Sequence, residues 1–132
     1  MKTLFGLVLS CALMVFASGA AVAQVENLKG TTPQQRADVV TKWMKDNLSL
    51  DDKTAAKAAD INLQFAEKTE TIMNSDAPRM EKMKSFREQS RARDQALKGI
   101  FTPDQYSAYE QKKGEMRTQL KAAIQEKRQA AE

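Results

Sequence analysis

The stretch Leu97-Lys98-Gly99-Ile100-Phe101-Thr102-Pro103-Asp104-Gln105-Tyr106-Ser107-Ala108 decides how the chain is to be folded. Thr102 is an N-cap, Pro103 suits the first helical position, and Gln105 can reach back to close a capping box. Gly99, three residues earlier, is expected to stop the preceding helix. Ile100 and Phe101 are left between the two helices as an apolar anchor. A helix thus ends and another begins within a few residues, so this region is helical on both sides.

The same device recurs upstream. Thr32-Pro33-Gln34-Gln35 opens a first helix, predicted to run to about Asn47 and to offer Val39, Val40, Trp43 and Met44 to a partner. Leu48 and Leu50 bracket a junction, and Asp51 caps a second helix that continues to about Met73. Asn74-Ser75-Asp76-Ala77-Pro78 is the main break, and Pro78 opens a third helix reaching about Lys98. The fourth starts at Pro103 and is expected to loosen from Ala122 onward, where the chain turns polar.

No segment alternates strictly enough for a half-buried strand, and Ala, Gln, Lys, Glu, Arg and Met fill the helix interiors. The fold class is therefore all-α, with four helices in one domain. Apolar residues recur at three and four along each helix: Ala58, Ile61, Phe65, Ile72 and Met73 on the second, Met80, Met83, Phe86, Leu97 and Ile100 on the third, Tyr106, Tyr109, Met116, Leu120 and Ile124 on the fourth. Stripes this narrow predict a modest core. The two long middle helices should form an extended antiparallel hairpin whose remaining surface is exposed or covered in a dimer.

The first 23 residues stand apart. Lys2 is followed by an apolar run from Leu4 to about Ala17, and small residues at Ala21 and Ala23 precede Gln24. That order is a secretory signal peptide. The run is shorter than the roughly 20 apolar residues a membrane span needs. The domain then covers residues 24–132, and the compartment expected is the periplasm. Val8-Leu9-Ser10-Cys11 looks like a lipoprotein box, but the apolar run continues past Cys11, so lipidation there is not expected.

The whole chain has 21 Lys plus Arg against 17 Asp plus Glu, and removing Lys2 leaves 20 against 17, a charge of +3. It has no histidine, and its one cysteine is Cys11. Imidazole bases, histidine metal ligands, thiol nucleophiles and disulfides are thus unavailable to residues 24–132. The usual phosphate-cradling signatures are absent as well. Asp51-Asp52 reads as helix capping rather than cation binding. An enzyme, a metal centre or a cofactor site is not expected.

Charge is concentrated instead. Between Arg79 and Lys98 lie seven basic and three acidic residues, whereas between Asp51 and Glu70 lie five acidic and three basic. Opposite signs on consecutive helices favour their pairing. Lys84, Arg87, Arg91 and Lys98 fall on one line, interleaved with Met80, Met83 and Phe86. The line reads either as a solvated basic face beside a buried stripe or as a surface for flexible, partly apolar, acidic chains. Nucleic acid would suit basic residues, but export argues against it. A third possibility is contact with anionic lipid through the basic line.

The stretch Ile100-Phe101-Thr102-Pro103-Asp104-Gln105-Tyr106-Ser107-Ala108-Tyr109-Glu110-Gln111 resembles the LTxxQ motif of the Spy/CpxP family of small, exported, all-helical envelope proteins. Phe101 replaces the motif's leucine, and Thr102 and Gln105 are its threonine and glutamine. An upstream copy is approximated by Leu50 as anchor and Asp51 as cap, but Lys53 and Thr54 do not restore the glutamine. The resemblance implies a curved dimer of hairpins that holds unfolded or misfolded envelope proteins without ATP on a basic, apolar face. It equally implies a regulator of an envelope-stress sensor kinase; a histidine-based metal response is excluded. The expected client-binding residues are Met80, Met83, Lys84, Phe86, Arg87, Arg91 and Lys98. The rival expectation is a non-catalytic scaffold bound to one folded partner.

Overall fold

The computed structural model describes residues 30–131, so the leader, its cleavage site and Cys11 lie outside the described residues. Four helices follow one another: α1 (Pro33–Leu48), α2 (Asp52–Asn74), α3 (Arg79–Ile100) and α4 (Pro103–Ala130). No strand occurs among the described residues. The fold is all-α.

The helix starts are built as their sequences dictate. At α1 the Gln35 N–H donates to Thr32 Oγ1 at 3.2 Å while the Thr32 N–H donates to Gln35 Oε1 at 3.0 Å. The same pair of bonds, at the same distances, joins Thr102 and Gln105 at α4. Each box satisfies two backbone groups that a helix end would otherwise leave unpaired. Asp51 caps α2 by accepting the Thr54 N–H at 2.7 Å, and this bond holds its carboxyl below the usual carboxylate range. Only α3 starts without a side-chain cap, with Pro78 in the cap position.

Gly99 does not stop α3. It sits within the helix, and the chain leaves at Phe101, whose backbone is extended (φ −87°, ψ 150°). The reason lies downstream. Pro103 disfavours a helical Thr102 before it, and the extended turn swings the Phe101 ring into the core, where it is buried. At the other end, α4 continues to Ala130 past the expected loosening at Ala122, with Ile124 buried on its inner side. Burial of Ile124 helps hold the last turns to the bundle.

α1 lies between α2 and α4. Its first turn is clasped to α2 by Arg36, a buried arginine whose Nη2 donates to Glu70 Oε2 at 2.7 Å while Nη1 donates to the Thr31 carbonyl at 2.9 Å. Further along, Asn62 Nδ2 donates to Thr41 Oγ1 at 3.0 Å and to Met44 Sδ at 3.4 Å. Lys45 Nζ meets Asp52 Oδ1 at 2.8 Å near the junction. The α2 residues buried on this side are Ala55, Ala58, Asn62, Ala66 and Thr69. These small residues let the two backbones approach closely.

On the opposite side of α1, α4 runs back until Arg128 stands beside Gly30. A Cβ built on Gly30 would lie 3.2 Å from Arg128 Cα, and φ there is +90°. Only glycine combines that backbone angle with that approach. The core gathers Val40, Trp43 and Met44 of α1, Leu97 of α3, and Tyr109 and Met116 of α4, closed at the junctions by Leu50 and Phe101. Fully burying a Leu or Met side chain stabilises by roughly 1.5–3 kcal/mol, so Met44, Leu97 and Met116 each contribute on that scale.

α3 packs along a flank of α2 but touches α4 little. No helix among the described residues is long and apolar enough to cross a membrane.

Candidate functional site

The side chains of α3 sort into two lines. Met83, Phe86, Ser90, Arg93 and Leu97, spaced by three and four, face inward. Their burial deepens along the helix: Met83, Phe86 and Ser90 are half-buried, Arg93 and Leu97 buried. Met80, Lys84, Arg87, Arg91 and Lys98 form the second line, and all five are exposed. Met80 departs from the inner stripe that its spacing suggested. It is 76 % exposed, the one large apolar side chain in that state among the described residues.

What holds the inner line is aromatic and cationic contact with α2. The Phe86 ring meets the Phe65 ring at 5.8 Å between centroids, tilted by 59°. The Arg93 guanidinium lies over the same Phe65 ring at 4.1 Å, an arrangement favoured by the ring's negative face. Lys82 Nζ donates to the Met73 carbonyl at 2.9 Å and so satisfies one of the last carbonyls of α2. These contacts join α2 and α3 side by side.

The lower end of α3 is tied to α4. Tyr109 donates its hydroxyl proton to Asp94 Oδ1 at 2.7 Å, and Lys113 Nζ stands 3.6 Å from Asp94 Oδ2 and 3.0 Å from Glu110 Oε2. Tyr109 is fully buried, and that desolvation, aided by Asp94, raises its phenol above the usual value. Glu110 is lowered, chiefly by its bond to Lys113. Lys98 ends the outer line over the Tyr106 ring at 5.8 Å, so it is more engaged than the cations before it.

The motif residues serve the fold. Leu50 and Phe101 enter the same core cluster, and Thr102, Gln105 and Asp51 cap helices. They set where α3 ends and hence the direction in which its outer line points. The sequence reading missed Arg93, Asp94 and Tyr109 as a working group. A charged pair three and four residues before Leu97, in register with an aromatic stripe on the next helix, was the available signal. Chemically, the outer line can attract acids, and Met80 can offer an adaptable apolar contact. Among the described residues no three potential metal ligands gather in one place.

The chain belongs to the family described as a domain of unknown function (DUF4890), whose model matches residues 20–109. The match contains α1, α2, all of α3 with its outer line, and the capped junction up to Tyr109. No curated protein and no solved structure matches the chain.

Proposed function

We propose that this protein is an exported, periplasmic, ATP-independent chaperone-like protein of the Spy/CpxP kind. It holds unfolded or partly apolar envelope polypeptides on the outer line of α3 and acts as a binder, not a catalyst. The observation that carries the reading is the exposure of Met80 at the head of Lys84, Arg87 and Arg91. A solvated helix face gains nothing from a bare methionine, since an exposed apolar side chain is stabilised only when something covers it.

The remaining parts fit that task. Met83 and Phe86 are half-buried beside the line and can add apolar contact without leaving their seam. From Lys84 to Lys98 the helix advances about 21 Å at ~1.5 Å per residue, the length of about six extended residues at ~3.3–3.6 Å each. A short unfolded segment can therefore lie along it. The α2–α3 pair, as an antiparallel hairpin in a homodimer, would present two such lines. The signal-like leader and the Phe101-Thr102-Gln105 junction supply the link to envelope proteins of this type.

The test is suppression of aggregation of a denatured client at stoichiometric ratios. Holding should weaken as salt screens the cations, and replacing Lys84, Arg87 and Arg91 with alanine should remove most of it while the helical signal persists. Client aggregation unaffected by excess protein would overturn the reading. A single stoichiometric partner recovered from an envelope extract, in place of many clients, would favour a dedicated scaffold or a sensor-kinase regulator.

A further inference from the structure

We propose that Met80 is an oxidation switch: a hydroperoxide converts its thioether to the sulfoxide ahead of the other described methionines, and the change releases bound polypeptide. The second half rests on the reading of α3 given above; the first does not.

The described chain holds five methionines in three environments. Met44 and Met116 are closed off, at 0 % and 2 % exposure. Met44 is further protected because its sulfur already accepts a hydrogen bond from Asn62 Nδ2. Met73 and Met83 are half-buried, and Met80 is 76 % exposed. A thioether does not titrate, so its rate of oxidation follows the access of the oxidant to sulfur. Cys11 is the one cysteine of the sequence and lies in the leader, so no thiol competes in residues 24–132.

The chemistry is a two-electron transfer. A lone pair on Met80 sulfur attacks the terminal peroxide oxygen, the S–O bond forms, and the O–O bond breaks. The proton of that oxygen passes to the departing alkoxide, which leaves as an alcohol, or as water when the oxidant is hydrogen peroxide. Sulfur is oxidised and the peroxide reduced. The product is polar and reversible by methionine sulfoxide reductases.

The site suits that product. Met80 stands in the first turn of α3, at the positive end of the helix dipole. Lys84, four residues on and exposed, lies on the same line. A sulfoxide oxygen is therefore placed in a positive field beside a cation, and the one exposed apolar contact of the line is lost.

The exported protein, treated with limiting hydrogen peroxide and mapped by peptide mass spectrometry, should gain oxygen at Met80 severalfold ahead of Met83 and Met73, with Met44 and Met116 last. Equal rates at Met80 and Met44 would overturn the site. In parallel, peroxide should abolish most of the holding of a denatured client, and a sulfoxide reductase should restore it. Met80→Leu, compared with its own untreated state, should lose the peroxide response. A response that survives in Met80→Leu, or full Met80 oxidation with holding intact, would overturn the switch. Absence of holding before treatment would strike the reading of the surface and the switch with it, while the peptide map would still decide the modification site.

Discussion

The two ends of α3 are made of the same kinds of residue and do opposite things. At the lower end Arg93 is 7 % exposed against Phe65, and Leu97 is sealed in the core. At the upper end Met80, Lys84 and Arg87 are exposed on the same helix. Two things separate them: Met80, Lys84 and Arg87 belong to the outer line, and the inner line is closed by a second helix only towards the base. α4 meets α3 through Asp94 and Tyr109 just above the Phe101 junction, and then follows α1 away from it. A methionine is core where two helices enclose it and surface where only one does. One rod therefore carries stability at its base and, on the proposed reading, recognition at its tip.

Substitutions can break that division or sharpen it. Leu97→Ala should cost about 2–5 kcal/mol, as large-to-small changes in closed cores do, and should lower the thermal midpoint of the whole chain. If it lowered client holding with no loss of stability, the base would not be the structural half.

A smaller effect is expected at the tie between α3 and α4. Tyr109→Phe removes one hydrogen bond to a carboxylate, worth about 1–2 kcal/mol. It also changes the pH dependence. The fold favours the neutral phenol, whereas an unfolded tyrosine ionises near pH ~10. The stability tied to this group is therefore complete below that value and is lost as pH rises above it. Denaturant midpoints measured from neutral to strongly alkaline pH should fall less steeply in the variant than in the parent. Identical slopes would mean that Tyr109 is not buried as neutral phenol.

The smallest change in stability belongs to the tip. Met80→Ala should leave the unfolding free energy within about 0.5 kcal/mol, like other surface substitutions, and yet reduce client holding. A large loss of stability would place Met80 in a packed interface and erase the contrast.

Much of this was legible beforehand, for local reasons. Thr32, Asp51 and Thr102 announced three helix starts because a cap needs only residues within one turn. Leu97, Tyr109 and Met116 announced themselves as core by spacing. Gly99 misled because its stop signal was local, whereas the extended Phe101 answers to Pro103 and to a pocket made by other helices. Met80 belonged by spacing both to the apolar stripe and to the expected binding line, and it stands on the outer line. The face of α2 made of Ala55, Ala58, Asn62, Ala66 and Thr69 was hidden by its weak hydrophobicity, although the three-and-four rhythm was there. Arg36 and Arg93 are buried although charge is usually outside. Their burial depends on Glu70 and Phe65, and no property of either arginine names those partners. For the candidate site, the line of cations was readable, but which residues would stand bare was not.

The contact between Gly30 and the Arg128 backbone has a wider consequence. Arg36 ties that same pole to Glu70, about one turn before α2 ends, so the chain enters the bundle, α4 finishes and α3 begins all on one side. The start of the outer line and the entry of the described chain therefore share one pole, and the Phe101 junction lies at the other.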